Sequence, residues 1–308
     1  MKFYVGITDQ DWINHLQTHN AIEANFWRPS AQEKNFNAIR QGDVFLFKQH
    51  KADGDCIVGG GLLQAYTRMS ISEAWLTFGL NNGTETREEL FERAKHYRAK
   101  RKLSTYYADA IDCIVLTKLF FMKEADYILK PSDWANAIVS GKTYDWNSEF
   151  GAEIKSTVFK YLEDANPAQE SSIIREQKNP YGNSYLTRGR LGQGVLRLQT
   201  LENFNNRCCI SGETLTEVLE CAHLKALSQN GSHDIDNTVP LRSDLHQLYD
   251  LGLISFDDSH NVILSDLIPM DSVYRAFEGK SMANSKNPID PESIRWHRET
   301  VFRLNSSE

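Results

Sequence analysis

Residues 218–252, VLECAHLKALSQNGSHDIDNTVPLRSDLHQLYDLG, constrain the chain most, because strand, turn and helix spacings follow one another there within a single short stretch. VLECAHL alternates as a short strand does, so Leu219, Cys221 and His223 share one face while Glu220 and Ala222 share the other. SQNGSHDIDN contains Asn-Gly and Asp-Asn and reads as a loop. It returns the chain to a second short strand, NTVPL, which Asn237 opens. From Arg242 the spacing turns helical: Ser243 stands as N-cap, Leu245, Leu248 and Tyr249 form an apolar face, and Gly252 stops the helix. His246 and Asp250 are four apart and lie on one side of it.

A lone His at a strand end is usually a hydrogen-bonded structural residue, and a lone Asn in a turn is usually turn chemistry. Here His223, Asn237 and His246 follow at intervals of 14 and 9 residues, with an Asp one helical turn after the last. That order and spacing resemble the catalytic hairpin and helix of HNH nucleases. The resemblance implies metal-dependent phosphodiester hydrolysis. In-line attack by water needs a base for the water and a cation for the charge that develops on the phosphoryl and leaving oxygens. His223 is the expected base, since a neutral imidazole has a pKa near operating pH. Asn237 is expected to brace the loop so that His223 keeps its angle and tautomer. His246 and Asp250 match the family's helix ligands for a divalent ion: Mg2+, or else Mn2+, Co2+ or Ni2+. Ala222 stands where many HNH enzymes have a further ligand, which leaves Asp244 or Glu220 to supply it.

Many HNH domains are braced by a zinc between two CxxC pairs. The nearby cysteines here are Cys208, Cys209 and Cys221, with Ser211 where the second Cys of a pair would fall, so no structural zinc is expected. Five cysteines in 308 residues make no disulfide framework. There is no signal peptide and no apolar run of spanning length, so the expected location is the cytoplasm, with no membrane partner.

Length suggests two domains. Apolar and aromatic runs fill the first 140 residues, a charged helical stretch follows, and NPAQESSIIREQKNPYGNSYLTRGRLGQG marks a linker near 166–190. The expected organisation is an α+β chain: a first domain over 1–140, a helical connector and linker over 141–190, and a nuclease domain over 191–308. A net charge of −7 limits indiscriminate duplex binding, so such an enzyme needs a recognition domain. Phosphate contact is nonetheless local. Between Arg175 and Cys209 six Lys or Arg face two Glu, and Arg188, Arg190 and Arg197 are expected at the DNA backbone. The basic run from Arg93 to Lys102 reads equally as a phosphate contact or a solvated helix face.

In the first 140 residues MKFYVGITD reads as a strand. WRPSAQEKNFNAIRQ reads as a helix stopped by Gly42, leading into the strand DVFLFK, and DCIVGGGLLQAY is a glycine-rich strand. SISE (70–73) and TREE (86–89) have capping-box spacing, and AIDCIVLTKLFF returns to a strand. Together they suggest a small mixed barrel with flanking helices. Trp27, Asn35, Gly42, Asp43, Phe45, Phe47, Ile57, Val58 and Gly59 resemble the EVE branch of the PUA-like superfamily. The whole chain is similar to the EVE-HNH type of modification-dependent, type IV restriction endonuclease. That resemblance implies double-stranded DNA carrying 5-methylcytosine or 5-hydroxymethylcytosine as substrate, and a reader that extrudes one base and stacks it on aromatic faces. Trp27 is the expected stacking wall, with Asn25, Arg28 and Ser30 nearby and Tyr66 or Trp75 as second walls. Gly59–Gly61 would let a backbone approach the nucleotide, and Phe45 and Phe47 belong to the core. One ββα site cuts one strand, so double-strand cleavage implies a homodimer or two bound copies. Two other readings stay open: a modified-nucleic-acid binding module with an inactive HNH part, and a nuclease sensing phosphorothioate.

Overall fold

Alternate residues of the first strands enter different cores, because both faces of their sheet are covered. The strands are β1 (Lys2–Thr8), β2 (Glu23–Pro29), β3 (Val44–Gln49), β4 (Cys56–Ser70), β5 (Ala110–Phe121), β6 (Ile128–Leu129) and β7 (Gly141–Asp145). Tyr4, Phe45, Phe47 and Val58 pack on one side with Trp12, Ile13 and Leu16 of α1 (Gln10–Thr18). Phe3, Val5, Val44, Leu46 and Ile57 pack on the other with Ile154 and Val158 of α4 (Glu149–Asp164). This two-sided burial explains why VFLFKQ is buried at all six positions rather than at every second one.

The structure, a computed structural model, describes residues 2–29, 36–100, 103, 109–165, 174–178, 184–188 and 192–303, with 174–178 and 184–188 described for their backbone alone. It divides into two units, Met1–Gln193 and Gly194–Glu308. The sheet of the first runs β2-β5-β4-β3-β1-β7, with β6 on β4. Only the β1/β3 ladder is parallel among the described residues. The expected mixed sheet is present, and no ladder joins its end strands β2 and β7 among the described residues. The N-cap half of each expected capping box forms. Ser70 Oγ accepts from Glu73 N at 3.0 Å to start α2 (Ile71–Phe78), and Thr86 Oγ1 accepts from Glu89 N at 3.1 Å to start α3 (Arg87–Lys100).

The helix expected from Trp27 to Gln41 is corrected here. The Trp27 segment is strand, not helix: Phe26 and Trp27 are β-favouring aromatics, and the segment pairs antiparallel with the apolar β5. Residues 36–43 are not helical either, and Asn35 lies outside the described residues. Gly59 and Gly60 serve strand packing, since a Cβ would stand 2.5 Å from Phe120 O and 2.6 Å from Phe45 O respectively. The start of the expected connector is built into the first unit, β7 pairing with β1 and α4 covering the sheet. Within the expected linker, β8 (Ile174–Lys178) and β9 (Ser184–Arg188) pair as an antiparallel hairpin.

The second unit packs α5 (Gln193–Asn203), the β10 (Leu219–His223) and β11 (Thr238–Arg242) hairpin, α6 (Ser243–Asp250), the β12 (Ile254–Phe256) and β13 (Val262–Leu264) hairpin and α7 (Pro291–Thr300) around one core. Cys208 and Cys209 are part of that core, and Cys208 Sγ accepts from Ser211 N and Arg242 N, both at 3.4 Å. Among the described residues no helix is long and apolar enough to cross a membrane.

His297 of α7 is central to this core. It is 3 % exposed and its ring stacks on Tyr249 at 3.5 Å. Nε2 donates to Tyr249 O at 3.0 Å, so in the neutral ring Nδ1 accepts from Ser255 Oγ at 2.9 Å. Burial pushes its pKa from 6.5 down to about 4, against the pull of the Tyr249 carbonyl. The unfolded chain therefore takes up a proton below pH 6.5 that the folded one refuses until about pH 4. Stability is full above the unfolded pKa and is lost as pH falls through this window, by about 3 kcal/mol for this group. Urea unfolding at pH 7.5 and at pH 4 checks it: His297→Gln should start less stable and lose correspondingly less on acidification.

Candidate active site

His223 ends β10, paired with Thr238 across the hairpin, and Leu219 and Ala222 are both buried in the core, so burial along β10 does not follow the expected alternation of Leu219, Cys221 and His223 on one face. The loop that follows is held by Asn237, which is 1 % exposed. Its Oδ1 accepts from Lys225 N at 2.9 Å, and its Nδ2 donates to Lys225 O at 3.0 Å and Ser232 O at 2.7 Å. Asn237 closes a 3-10 turn just before β11 rather than opening the strand. Leu224, next to His223, is held twice: its N–H donates to Asn237 O at 2.9 Å and its carbonyl accepts from Tyr249 Oη at 3.1 Å. The His223 ring lies against His233, Nε2 to Nδ1 at 3.4 Å, with the two rings stacked at 5.5 Å.

Helix α6 carries the second group. Arg242, not Ser243, takes the N-cap position, and Ser243 Oγ donates to Val218 O at 3.1 Å instead. Gly252 (φ +70°) ends the turn that follows; a Cβ there would stand 2.1 Å from Val301 O. His246 Nδ1 is 2.6 Å from Glu220 Oε2, and His246 Nε2 is 3.5 Å from Asp250 Oδ2. Burial acts to lower the His246 pKa, but the Glu220 hydrogen bond and the charges of Asp250 and Glu220 outweigh it and raise it. Glu220 is held below the usual carboxylate range by the His246 hydrogen bond, against partial burial.

Of the two carboxylates left open by Ala222, the structure separates one from the cluster. Asp244 receives the Arg242 guanidinium at 2.6 and 2.7 Å, Tyr274 Oη at 3.1 Å and Leu245 N at 3.0 Å. Glu220 is the one beside His246. His246 Nε2 and the Asp250 carboxylate are a nitrogen and oxygen donor pair that suits Mg2+ or a first-row divalent ion. The Nδ1–H to Glu220 bond orients the ring as carboxylates do behind metal-bound histidines, and turns Nε2 toward Asp250.

In the first unit Trp27 and Arg28 line a cavity of about 120 Å³ together with Tyr4, Asp9, Trp12, Phe26, Phe36 and Tyr97. A wider cleft of about 520 Å³ shares Asp9, His50, Arg93 and Tyr97 with it. Trp27 Nε1 donates to Asn82 O at 2.9 Å, and its ring meets Tyr97 edge-on at 6.3 Å. Arg28 lies 5.8 Å from the Phe36 ring and 3.3 Å from the Asp112 carboxylate, which also takes Arg68 at 3.0 Å. Asp9 accepts from Tyr97 Oη at 2.5 Å and faces His50 Nε2 at 2.9 Å.

Several expected site residues have other work. Asn25 is fully buried and donates to Asn82 Oδ1 at 2.9 Å and Cys113 Sγ at 3.2 Å, so it fixes β2 from within. Tyr66 sits beside Phe36 at 6.3 Å and Trp75 is half-buried on α2, and neither lines the cavity. Arg197 is 8 % exposed and donates to Leu219 O and Thr216 O, bracing the start of β10 instead of meeting a phosphate. Arg93 pairs with Glu89 at 2.8 Å and Arg98 is buried on Ala110 O, so the α3 run is not a continuous cationic face. Ser30 and Arg190, and the side chain of Arg188, lie outside the described residues. Sequence reasoning missed Asp9, Tyr97 and His233. Asp9 offers only the signal of a helix N-cap, Tyr97 that of a helix aromatic, and His233 that of a loop residue.

The family model described as HNH endonuclease matches residues 208–257. No curated protein matches the chain in sequence. Among solved structures, ASCH from Zymomonas mobilis is 7% identical over 51% of this chain and 94% of that one, with a TM-score of 0.33. The modification dependent TagI restriction endonuclease is 10% identical over 94% of this chain and 79% of that one, with a TM-score of 0.32. The segment that carries His223, the Asn237 clamp and His246 is an HNH endonuclease domain.

Proposed function

We propose that the chain is a modification-dependent DNA endonuclease, cutting double-stranded DNA that carries 5-methylcytosine or 5-hydroxymethylcytosine. The observation that carries the nuclease part is the pairing of two fixed elements in one ββα unit. Asn237 clamps the loop behind His223, and α6 brings His246 within 3.5 Å of Asp250 beside Glu220. His223 takes the proton of the attacking water as its oxygen bonds to phosphorus. The P–O3′ bond breaks and O3′ takes a proton from solvent water, leaving 5′-phosphate and 3′-hydroxyl ends. His246 and Asp250, with Glu220 orienting the imidazole, would hold the divalent ion, which when bound supplies positive charge for the phosphoryl and leaving oxygens. Cutting both strands takes two such sites, hence two copies of the chain.

The reader part is supported by the cavity of the first unit. It offers stacking faces in Trp27, Phe26 and Tyr97, a cation in Arg28, and a carboxylate in Asp9. A carboxylate accepts from the exocyclic amino group of cytosine, which thymine lacks, and this favours cytosine over thymine as the extruded base. Stacking returns about 1–3 kcal/mol per base, so Trp27→Ala should weaken binding of modified duplex roughly 5- to 150-fold while Trp27→Phe retains most of it.

The decisive experiment is cleavage of matched plasmids carrying cytosine, 5-methylcytosine, 5-hydroxymethylcytosine or glucosylated cytosine, each with Mg2+, Mn2+, Co2+ and Ni2+. Selective cutting of the methylated or hydroxymethylated plasmid is expected. Equal cutting of all four removes the reader role, and binding without nicking in every ion makes the chain a binding module. Competition by a phosphorothioate duplex that a methylated one does not match would place the mark in the backbone.

A further inference from the structure

Away from the nuclease centre and outside the cavity of the first unit, three side chains converge. His15 and His19 lie one turn apart at the end of α1, and Glu85 precedes α3. His15 Nδ1 is 3.3 Å from Glu85 Oε1 and His19 Nε2 is 3.7 Å from the same oxygen; the three candidate ligand atoms lie within 4.8 Å of one another. We propose that His15 Nδ1, His19 Nε2 and Glu85 form a zinc site that staples α1 to the segment between α2 and α3.

The tautomers argue for it. His15 Nε2 is 3.0 Å from Leu80 O, and His19 Nδ1 is 2.8 Å from His15 O. A carbonyl only accepts, so each of these nitrogens carries a proton. In each neutral ring the other nitrogen is then a lone-pair donor, and in both it is the nitrogen turned toward Glu85. Metal-bound histidines are oriented in this way, by an outer acceptor on the second ring nitrogen.

The spacing argues for the geometry. With Zn–N and Zn–O bonds of about 2.0–2.2 Å, neighbouring ligand atoms of a tetrahedral ion stand about 3.4 Å apart. The separations of 3.3 and 3.7 Å bracket that value. Two imidazoles and one carboxylate leave a fourth position for water, and Glu85, 65 % exposed, keeps the site open to solvent on that side. The staple has a structural consequence. Leu80, which orients His15, is two residues from Asn82, whose carbonyl accepts from both Trp12 and Trp27. A bound ion would tie α1 to the backbone that fixes the Trp27 ring.

The test is zinc content of the full chain after dialysis against Zn2+ and removal of excess, for wild type, His19→Ala, Glu85→Gln and His246→Ala. One zinc fewer per chain in His19→Ala and in Glu85→Gln, with that zinc kept in His246→Ala, is expected. Co2+ in place of zinc should give the visible bands of a tetrahedral ion in wild type and lose them in Glu85→Gln. Zinc at about 100 times its Kd should raise the wild-type Tm by roughly 5–10 °C, and that of Glu85→Gln by much less. Glu85 is exposed, so its variant folds even if His19→Ala does not. Equal zinc in wild type and Glu85→Gln, or loss of all zinc in His246→Ala alone, overturns the proposal. None of these readouts depends on DNA cleavage.

Discussion

Replacing His223 with alanine should lower the rate of strand cleavage by about 10²–10⁴-fold, the range a single general base contributes, and leave binding of modified duplex unchanged. That is roughly 3–5 kcal/mol of transition-state stabilisation. The loss should fall on the chemical step, because the core of the hairpin is supplied by residues other than His223. Its neighbours Leu219, Ala222 and Leu224 supply the core contacts, and its own ring is only partly buried. Single-turnover nicking of a saturated, modified plasmid isolates that step, with duplex affinity as the control. His233→Ala should cost far less, since His233 touches the base at 3.4 Å rather than replacing it. A His223→Ala enzyme that nicks at the wild-type rate would show that the proton goes elsewhere, and His233 would be the first residue to test. Loss of duplex binding in the same variant would instead mean that the two units do not divide reading and cutting between them.

Local periodicity made much of the fold legible. A strand repeats every two residues and a helix every 3.6, so VLECAHL, NTVPL and SDLHQLYD announce their conformations without knowledge of their partners. The N-caps at Ser70 and Thr86 are equally local, and both formed. Errors arose where a residue's fate is set across the chain. EANFWRP is strand because β5 lies beside it, and nothing within those residues announces β5. Arg197 looks like a free cation in a basic stretch, but the carbonyls of Thr216 and Leu219 claim it. Asn25 looks like a polar recognition residue beside Trp27, yet alternation along β2 turns it inward to Asn82. The choice between Glu220 and Asp244 is of the same kind. Both are acidic residues close to His246 in the unit, and only the Arg242 fork, two residues before Asp244, decides between them.

Asn237 is where stability and activity meet most directly, and Asn237→Ala should be the most damaging single change in the second unit. The side chain makes three hydrogen bonds to main-chain groups of Lys225 and Ser232. Alanine keeps the backbone but leaves those groups without their partner in a site that is 1 % exposed. Each such group left unsatisfied costs about 1–3 kcal/mol, and partial rehydration of the loop recovers some of it, so a loss on the order of 4 kcal/mol is expected. Activity should fall further than the folded fraction does, because Lys225 is two residues from His223 and a loosened loop no longer holds the imidazole in line. Asn237→Asp separates the two effects. It retains the acceptor for Lys225 N but gives up both donated bonds and places a charge near two carbonyls, so it should be destabilised as well and should cut poorly even where it is fully folded. Urea unfolding of each variant gives the first quantity, and single-turnover nicking, at a temperature where circular dichroism shows a native fold, gives the second. A folded Asn237→Ala protein that nicks at the wild-type rate would mean that the β10–β11 strand pairing alone positions His223, and that the clamp is a matter of stability only.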